Sequence, residues 1–209
     1  MKDLSGFLQN IRLYAPGVAT PTAYFAIRQA AIEFCERTRM WRYEDELDVA
    51  GDECDAIGAP DCNSVIHQIE EVWFDGKRLD HKSPQQLDDL APNWRSGADT
   101  SESQPHYVTQ TAPDTIALVP RGTGTVKFTL FLKPSQSAEQ VPDWLVDQHT
   151  ETIAFGALGR LLLIPNQSFT NPEMGGGFAL SFAQRLDGKF TAGASGQQRA
   201  QARAKATFY

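Results

Sequence analysis

Four histidines, three cysteines and one dense acidic stretch are the side chains in this sequence best equipped for chemistry. His67, His81, His106 and His149 occur singly, without the paired spacing that a zinc site uses. Cys54 and Cys62 lie close to His67 in the chain, but they form neither a CxxC pair nor a histidine-matched set. A metal-dependent hydrolytic site built from His67, His81 and Asp80 is the remaining enzymatic arrangement, and no motif supports it. Gly122-Thr123-Gly124 has the composition of a nucleotide loop, yet it precedes an extended segment and lacks the Lys-Ser/Thr that would hold phosphate and magnesium. Met174-Gly175-Gly176-Gly177 stands near a helix start, where free N–H groups could hold an anion. No lysine or hydroxyl follows closely, so it reads as a flexible joint. Glu44, Asp45, Glu46, Asp48, Asp52, Glu53 and Asp55 lack the glycine and closing glutamate of a calcium loop, so they read as a solvated surface. With no nucleophile elbow and no HExxH, the expectation is no catalytic residue, no cofactor and no metal.

The elements that position these groups follow from periodicity. Leu4, Phe7, Leu8 and Ile11 predict a short helix capped by Asp3 and ended by Ala15-Pro16-Gly17. A second helix opens at Thr20-Pro21, with Thr20 as hydroxyl cap, and runs to about Trp41. Tyr24, Ile27, Ala31, Phe34, Cys35 and Thr38 form its apolar face. Residues 44–50 and 65–74 read as extended, the latter with Val65, Ile69, Val72 and Phe74 as apolar positions. Asp75-Gly76 offers a hairpin turn, and Ser83-Pro84 opens a short helix over 85–90. Residues 93–104 read as an exposed loop, and 107–111, 115–119 and 125–132 as strands. Val126, Phe128, Leu130 and Leu132 share one face of the last strand.

Helical signals return at Val141-Pro142-Asp143-Trp144, and that helix should stop at Pro165. Gly156 and Gly159 within it each cost about 1 kcal/mol of helix propensity, so a close neighbouring helix or subunit is expected there. Asn171-Pro172-Glu173 opens a final helix with a Phe178, Phe182, Leu186 and Phe190 stripe and a break at Gly193 and Gly196. The expected fold is α+β: a helical bundle from 1–43 and 135–209, with an antiparallel β-rich module, 44–134, inserted between them.

The chain of 209 residues carries a net charge of −7, unevenly spread. Residues 178–209 hold five cations against one anion, so the preceding residues are strongly acidic. That balance excludes a domain that wraps nucleic acid with a cationic face. MKDLSGFLQN lacks an apolar secretory core, and no run is long enough to span a membrane. The three cysteines are therefore expected to be reduced thiols in a soluble protein made in the cytoplasm, and the Asn166-Gln167-Ser168 sequon accidental.

Three stretches in order carry a resemblance: PTAYFAIRQAAIEFCERTRMWRYE, Pro142-Asp143-Trp144-Leu145 leading into GALGRLLLIP, and NPEMGGGFALSFAQRL. Together they resemble the head-to-tail adaptor (connector, tail tubular-type) proteins of tailed bacteriophages, most specifically over residues 141–190. The resemblance implies a structural virion protein without enzymatic activity, located in the neck after assembly in the host cytoplasm. It implies a homo-oligomeric ring, commonly a dodecamer, that sits beneath the portal protein and extends the DNA channel. DNA would pass without specific binding, and no membrane is involved. The β region would meet the next tail or nozzle protein. The C-terminal segment would reach the portal, with Arg199, Arg203, Lys205, Phe208 and Tyr209 docking there, while Gly156 and Gly159 would let subunits approach closely. A neck stopper, a tail-completion protein and a tail-terminator are the alternatives within the same class.

Overall fold

The computed structural model of the chain describes residues 1–96 and 104–195. Helices and mostly antiparallel sheets make it an α+β protein, divided into two compact units: Met1–Met40 with Gln136–Tyr209, and Trp41–Ser135.

In the first unit, strand β1 (Lys2–Asp3) leads into a 3₁₀ turn over Leu4–Phe7 and helix α1, Leu8–Arg12. Asp3 caps this start as expected, its carboxylate accepting from the Ser5 N–H at 2.6 Å. That hydrogen bond holds the Asp3 pKa below the usual carboxylate range. The first turn is tighter than the expected α-helix.

Helix α2 spans Thr20–Thr38 and buries Ile27, Ala31, Phe34, Cys35 and Thr38 of the face read from the sequence, while Tyr24 at its start is only half-buried. Its start and end differ from expectation. Ala19 is the N-cap and Thr20 already lies in the first turn, its hydroxyl accepting from Arg12 instead of capping. The end comes at Thr38, because Arg39 adopts a left-handed backbone (φ 51°) that stops the helix short of Trp41.

Helix α4 (Asp143–Leu161) and helix α5 (Pro172–Ser195) complete this unit, and α2, α4 and α5 pack on one another. Helix α4 ends before Ile164, the residue whose conformation Pro165 restricts, and turns fill the interval to α5. Gly175–Gly177, read from sequence as a joint, are instead the opening turns of α5. The Asn171 side chain accepts from the Met174 N–H at 3.1 Å, and Gly175 packs on Leu162 and Leu163, so capping and contact fix the helix there. The helix also continues through Gly193 to Ser195, without the break expected at Gly193, while Gly196 lies outside the described residues.

The second unit is built on a four-stranded sheet in the order β2–β9–β4–β5: Arg42–Ala50, Thr123–Pro134, Ser64–Phe74 and Lys77–Arg78. Asp75 and Gly76 both have positive φ (45° and 80°), as a tight hairpin between β4 and β5 requires. A second sheet runs β3–β8–β7–β6: Asp55–Ala56, Thr115–Val119, Tyr107–Thr109 and Asp80–His81, the last pair parallel. Helix α3 (Pro84–Leu90) starts with a capping box between Ser83 and Gln86.

Val126, Phe128, Leu130 and Leu132 of β9 are all buried on one face. Their partners on β4 break the simple alternation. The pairing shifts between Ile66 and Gln68 and again between Ile69 and Glu71, leaving His67 and Glu70 as extra residues. Each bulge returns the next apolar side chain to the core face, so Ile66, Ile69, Val72 and Phe74 oppose Leu132, Leu130, Phe128 and Val126. Val65, expected in the apolar set, is 38% exposed.

Thiol reactivity follows from burial. Cys35 lies at 0% exposure in α2, where burial pushes its pKa far above the ordinary thiol range, while Cys54 and Cys62 are exposed. A maleimide reagent should therefore modify two thiols per native chain, and the third only after denaturation. Rapid labelling of Cys35 in the native protein would contradict this packing.

Candidate functional site

The register of β2, β9 and β4 assembles a surface that no short motif announces. Glu44 and Glu71 flank Thr129 across the sheet, and Glu46 and Trp73 flank Lys127. Because directly opposed residues share a face, these side chains stand together on the side away from Val126 and Leu130. They line an open groove of about 550 Å³, with Trp73 37% exposed. Glu46 pairs with Lys127 at 3.2 Å, and Glu71 with Arg78 at 3.1 Å. Asp48 accepts from the Thr125 hydroxyl at 2.8 Å on the same face. The sequence displays the carboxylates of β2 as one run, but not their grouping with Trp73, Glu71 and Lys127. Cross-strand pairing brings these in, and its only sequence signal is the alternation of 125–132.

The acidic stretch continues beyond β2 to Asp55, whose pKa is raised by partial burial and by neighbouring Asp52. Residues 41–135 hold seventeen acidic side chains against eight lysines and arginines. That net −9 leaves +2 for the rest of the chain, so the negative charge is concentrated in the β unit.

The histidines separate. His67, in the first bulge of β4, and His81, at the end of β6, do meet on the rim of one open groove of about 360 Å³ with Lys82 and Thr109. The His81 pKa is lowered, first by desolvation and then by the Arg78 guanidinium. Asp80 does not line that groove, and among the described residues no three His, Cys, Asp or Glu side chains are placed to hold a metal ion. His149 is buried between Phe34 and Trp144, with ring centroids 4.9 and 5.7 Å away. The Gly122-Thr123-Gly124 run is a packing feature: a Cβ on Gly124 would fall 2.7 Å from the Phe74 ring, and one on Gly122 2.8 Å from Pro105.

In the helical unit, Tyr14, Phe178 and Phe155 form a chain of ring contacts at 4.9 and 5.1 Å. Arg185 lies over Phe155 and binds Glu151 at 2.8 Å, which lowers the Glu151 pKa. Gly156 and Gly159 permit close approach here, and the neighbours they meet belong to the same chain. A Cβ on Gly156 would come within 2.9 Å of Ala30 and Phe182, and one on Gly159 within 3.1 Å of the Ala179 backbone. Arg199, Arg203, Lys205, Phe208 and Tyr209 lie outside the described residues.

No helix among the described residues is long and apolar enough to cross a membrane. Against this two-unit layout, a family model for the SU10 adaptor protein matches residues 3–207. The chain belongs to the SU10 adaptor protein family. This is a family of structural adaptor proteins of bacteriophages, in keeping with the resemblance drawn from the sequence. No curated protein matches the chain. An adaptor works through the surfaces it offers to the proteins it touches.

Proposed function

We propose that this SU10 adaptor is a ring-forming neck protein that joins the portal to the tail and extends the DNA channel, without catalysing a reaction. The observation that carries this reading is a family match spanning nearly the whole chain. The charge distribution supports it. A channel that DNA must slide through has to avoid the cation–phosphate contacts that would hold the duplex, and the β unit carries the chain's surplus of carboxylates. Two separately packed units also provide distinct surfaces for different neighbours.

The test is omission. Particles assembled without this chain should accumulate as heads with portals and no attached tails, visible by electron microscopy, and purified chain added back should restore tail joining. Normally tailed particles in its absence would defeat the reading. Binding to isolated portal distinguishes an adaptor from a stopper or tail-terminator, which would bind the tail tube instead.

A further inference from the structure

Charge within the β unit is sorted by position. Residues 41–74 hold ten acidic side chains against one arginine, whereas residues 75–135 hold seven of each sign. The main sheet shows the same division at its two sides. Strand β2, terminal beside β9, carries Glu44, Asp45, Glu46 and Asp48 against Arg42. Strand β5, terminal beside β4, carries Lys77 and Arg78. Three ion pairs neutralise part of this charge: Arg42–Glu70 at 2.8 Å, Lys127–Glu46 at 3.2 Å and Arg78–Glu71 at 3.1 Å. What they leave over has opposite sign at the two edges. Among the described residues, Glu44, Asp45 and Asp48 have no cation within ion-pair distance, and Lys77, which contacts His106, has no carboxylate.

Charges on edge strands ordinarily keep sheets apart, because like charges at every edge repel every approach. Edges of opposite sign do not serve that purpose, since each attracts the other. Within one copy, β9 and β4 hold the two edges apart, so a second copy is needed to bring them together. We infer that the β units of neighbouring copies meet edge to edge, the β2 edge of one beside the β5 edge of the next. A contact between two different surfaces of the same chain is the kind that closes into a ring. The inference rests on the proposed ring for that closure alone. Side chains carry the contact, because the two residues of β5 are too few for a ladder of main-chain hydrogen bonds. Successive residues of a strand face opposite sides, so Lys77 and Arg78 match the successive carboxylates Glu44 and Asp45. Arg78 is largely exposed, and its five N–H donors let it hold Glu71 and a carboxylate of the next copy together.

Zero-length crosslinking tests this on the full-length chain. A concentrated equal mixture of unlabelled and isotope-labelled copies is treated with a carbodiimide, which joins an amine to a carboxylate in direct contact. Peptides of mixed isotope content report links between copies. The expected product joins Lys77 of one copy to Glu44, Asp45 or Asp48 of another, in a yield that falls as salt rises. Glu44→Lys/Asp48→Lys should lower the remaining Lys77–Asp45 link at least about tenfold. Adding Lys77→Glu/Arg78→Glu to that variant should bring links between the two edges back, with amine and carboxylate exchanged. Unchanged circular dichroism shows that the sheet is intact in both variants. Absence of the link in the unaltered chain, indifference to the charge reversal, or no recovery in the fourfold variant would each overturn the inference. Portal binding is measured separately by mass: a chain that gives the link but adds no ring to the portal defeats the ring reading and leaves this contact standing.

Discussion

Gly159→Leu should cost the helical unit at least about 3 kcal/mol, the upper end of ordinary overpacking, and should leave little native protein under mild heating. The reason is where the new side chain goes. A bare Cβ at this point of α4 already lies 3.1 Å from the N, Cα and Cβ of Ala179 in α5, so the obstacle is backbone and no rotamer removes it. Gly156→Ala is the milder case. Its methyl group would meet Ala30 and two carbons of the Phe182 ring at 2.9 Å, and a gain of about 1 kcal/mol in helix propensity opposes that overlap. A net loss of about 1 kcal/mol is expected. Gly177 and Gly188 of α5 provide the control, since nothing lies within 4 Å of a Cβ at either. Alanine at those positions should stabilise the helix by up to about 1 kcal/mol each. Thermal unfolding followed by circular dichroism reads the whole series. Gly159→Leu behaving like Gly188→Ala would contradict the approach of α4 and α5.

Phe34→Ala should remove about 3–5 kcal/mol, as expected for a large aromatic deleted from a core that relaxes only partly. Phe34 is 0% exposed, on the face of α2 that also buries Ile27, Ala31 and Cys35, and its ring stacks at 4.9 Å on His149 of α4. The truncation therefore removes packing between two helices at once. Phe34→Leu retains most of the volume and should lose substantially less. Urea unfolding measures both, and an alanine variant within about 1 kcal/mol of the native chain would show that α2 does not pack as described.

These packing positions were the most legible part of the sequence. The α2 face could be read because its apolar residues follow the helical period without interruption, and Asp75-Gly76 because a tight hairpin demands positive φ at both positions. The failures have equally local causes. Two bulges at His67 and Glu70 break the alternation of β4, so the sequence pattern favours exposed Val65 over Ile66, which faces the core. Gly175–Gly177 looked like a joint because propensity cannot register the Asn171 cap or the contact with Leu162. Thr20 matched a capping pattern that Ala19 fills one residue earlier. The acidic stretch of β2 was visible, but its grouping with Trp73, Glu71 and Lys127 depends on strand register, which one sequence does not display.

The adaptor role itself stands or falls on contact with the portal. The most direct measurement is the mass of an isolated portal ring before and after incubation with this 23.1 kDa chain, by native mass spectrometry or mass photometry. A gain equal to one closed ring of copies, filling without stable partial states, is the predicted result. A portal whose mass does not change, while the same protein adds to isolated tail tubes, would contradict it.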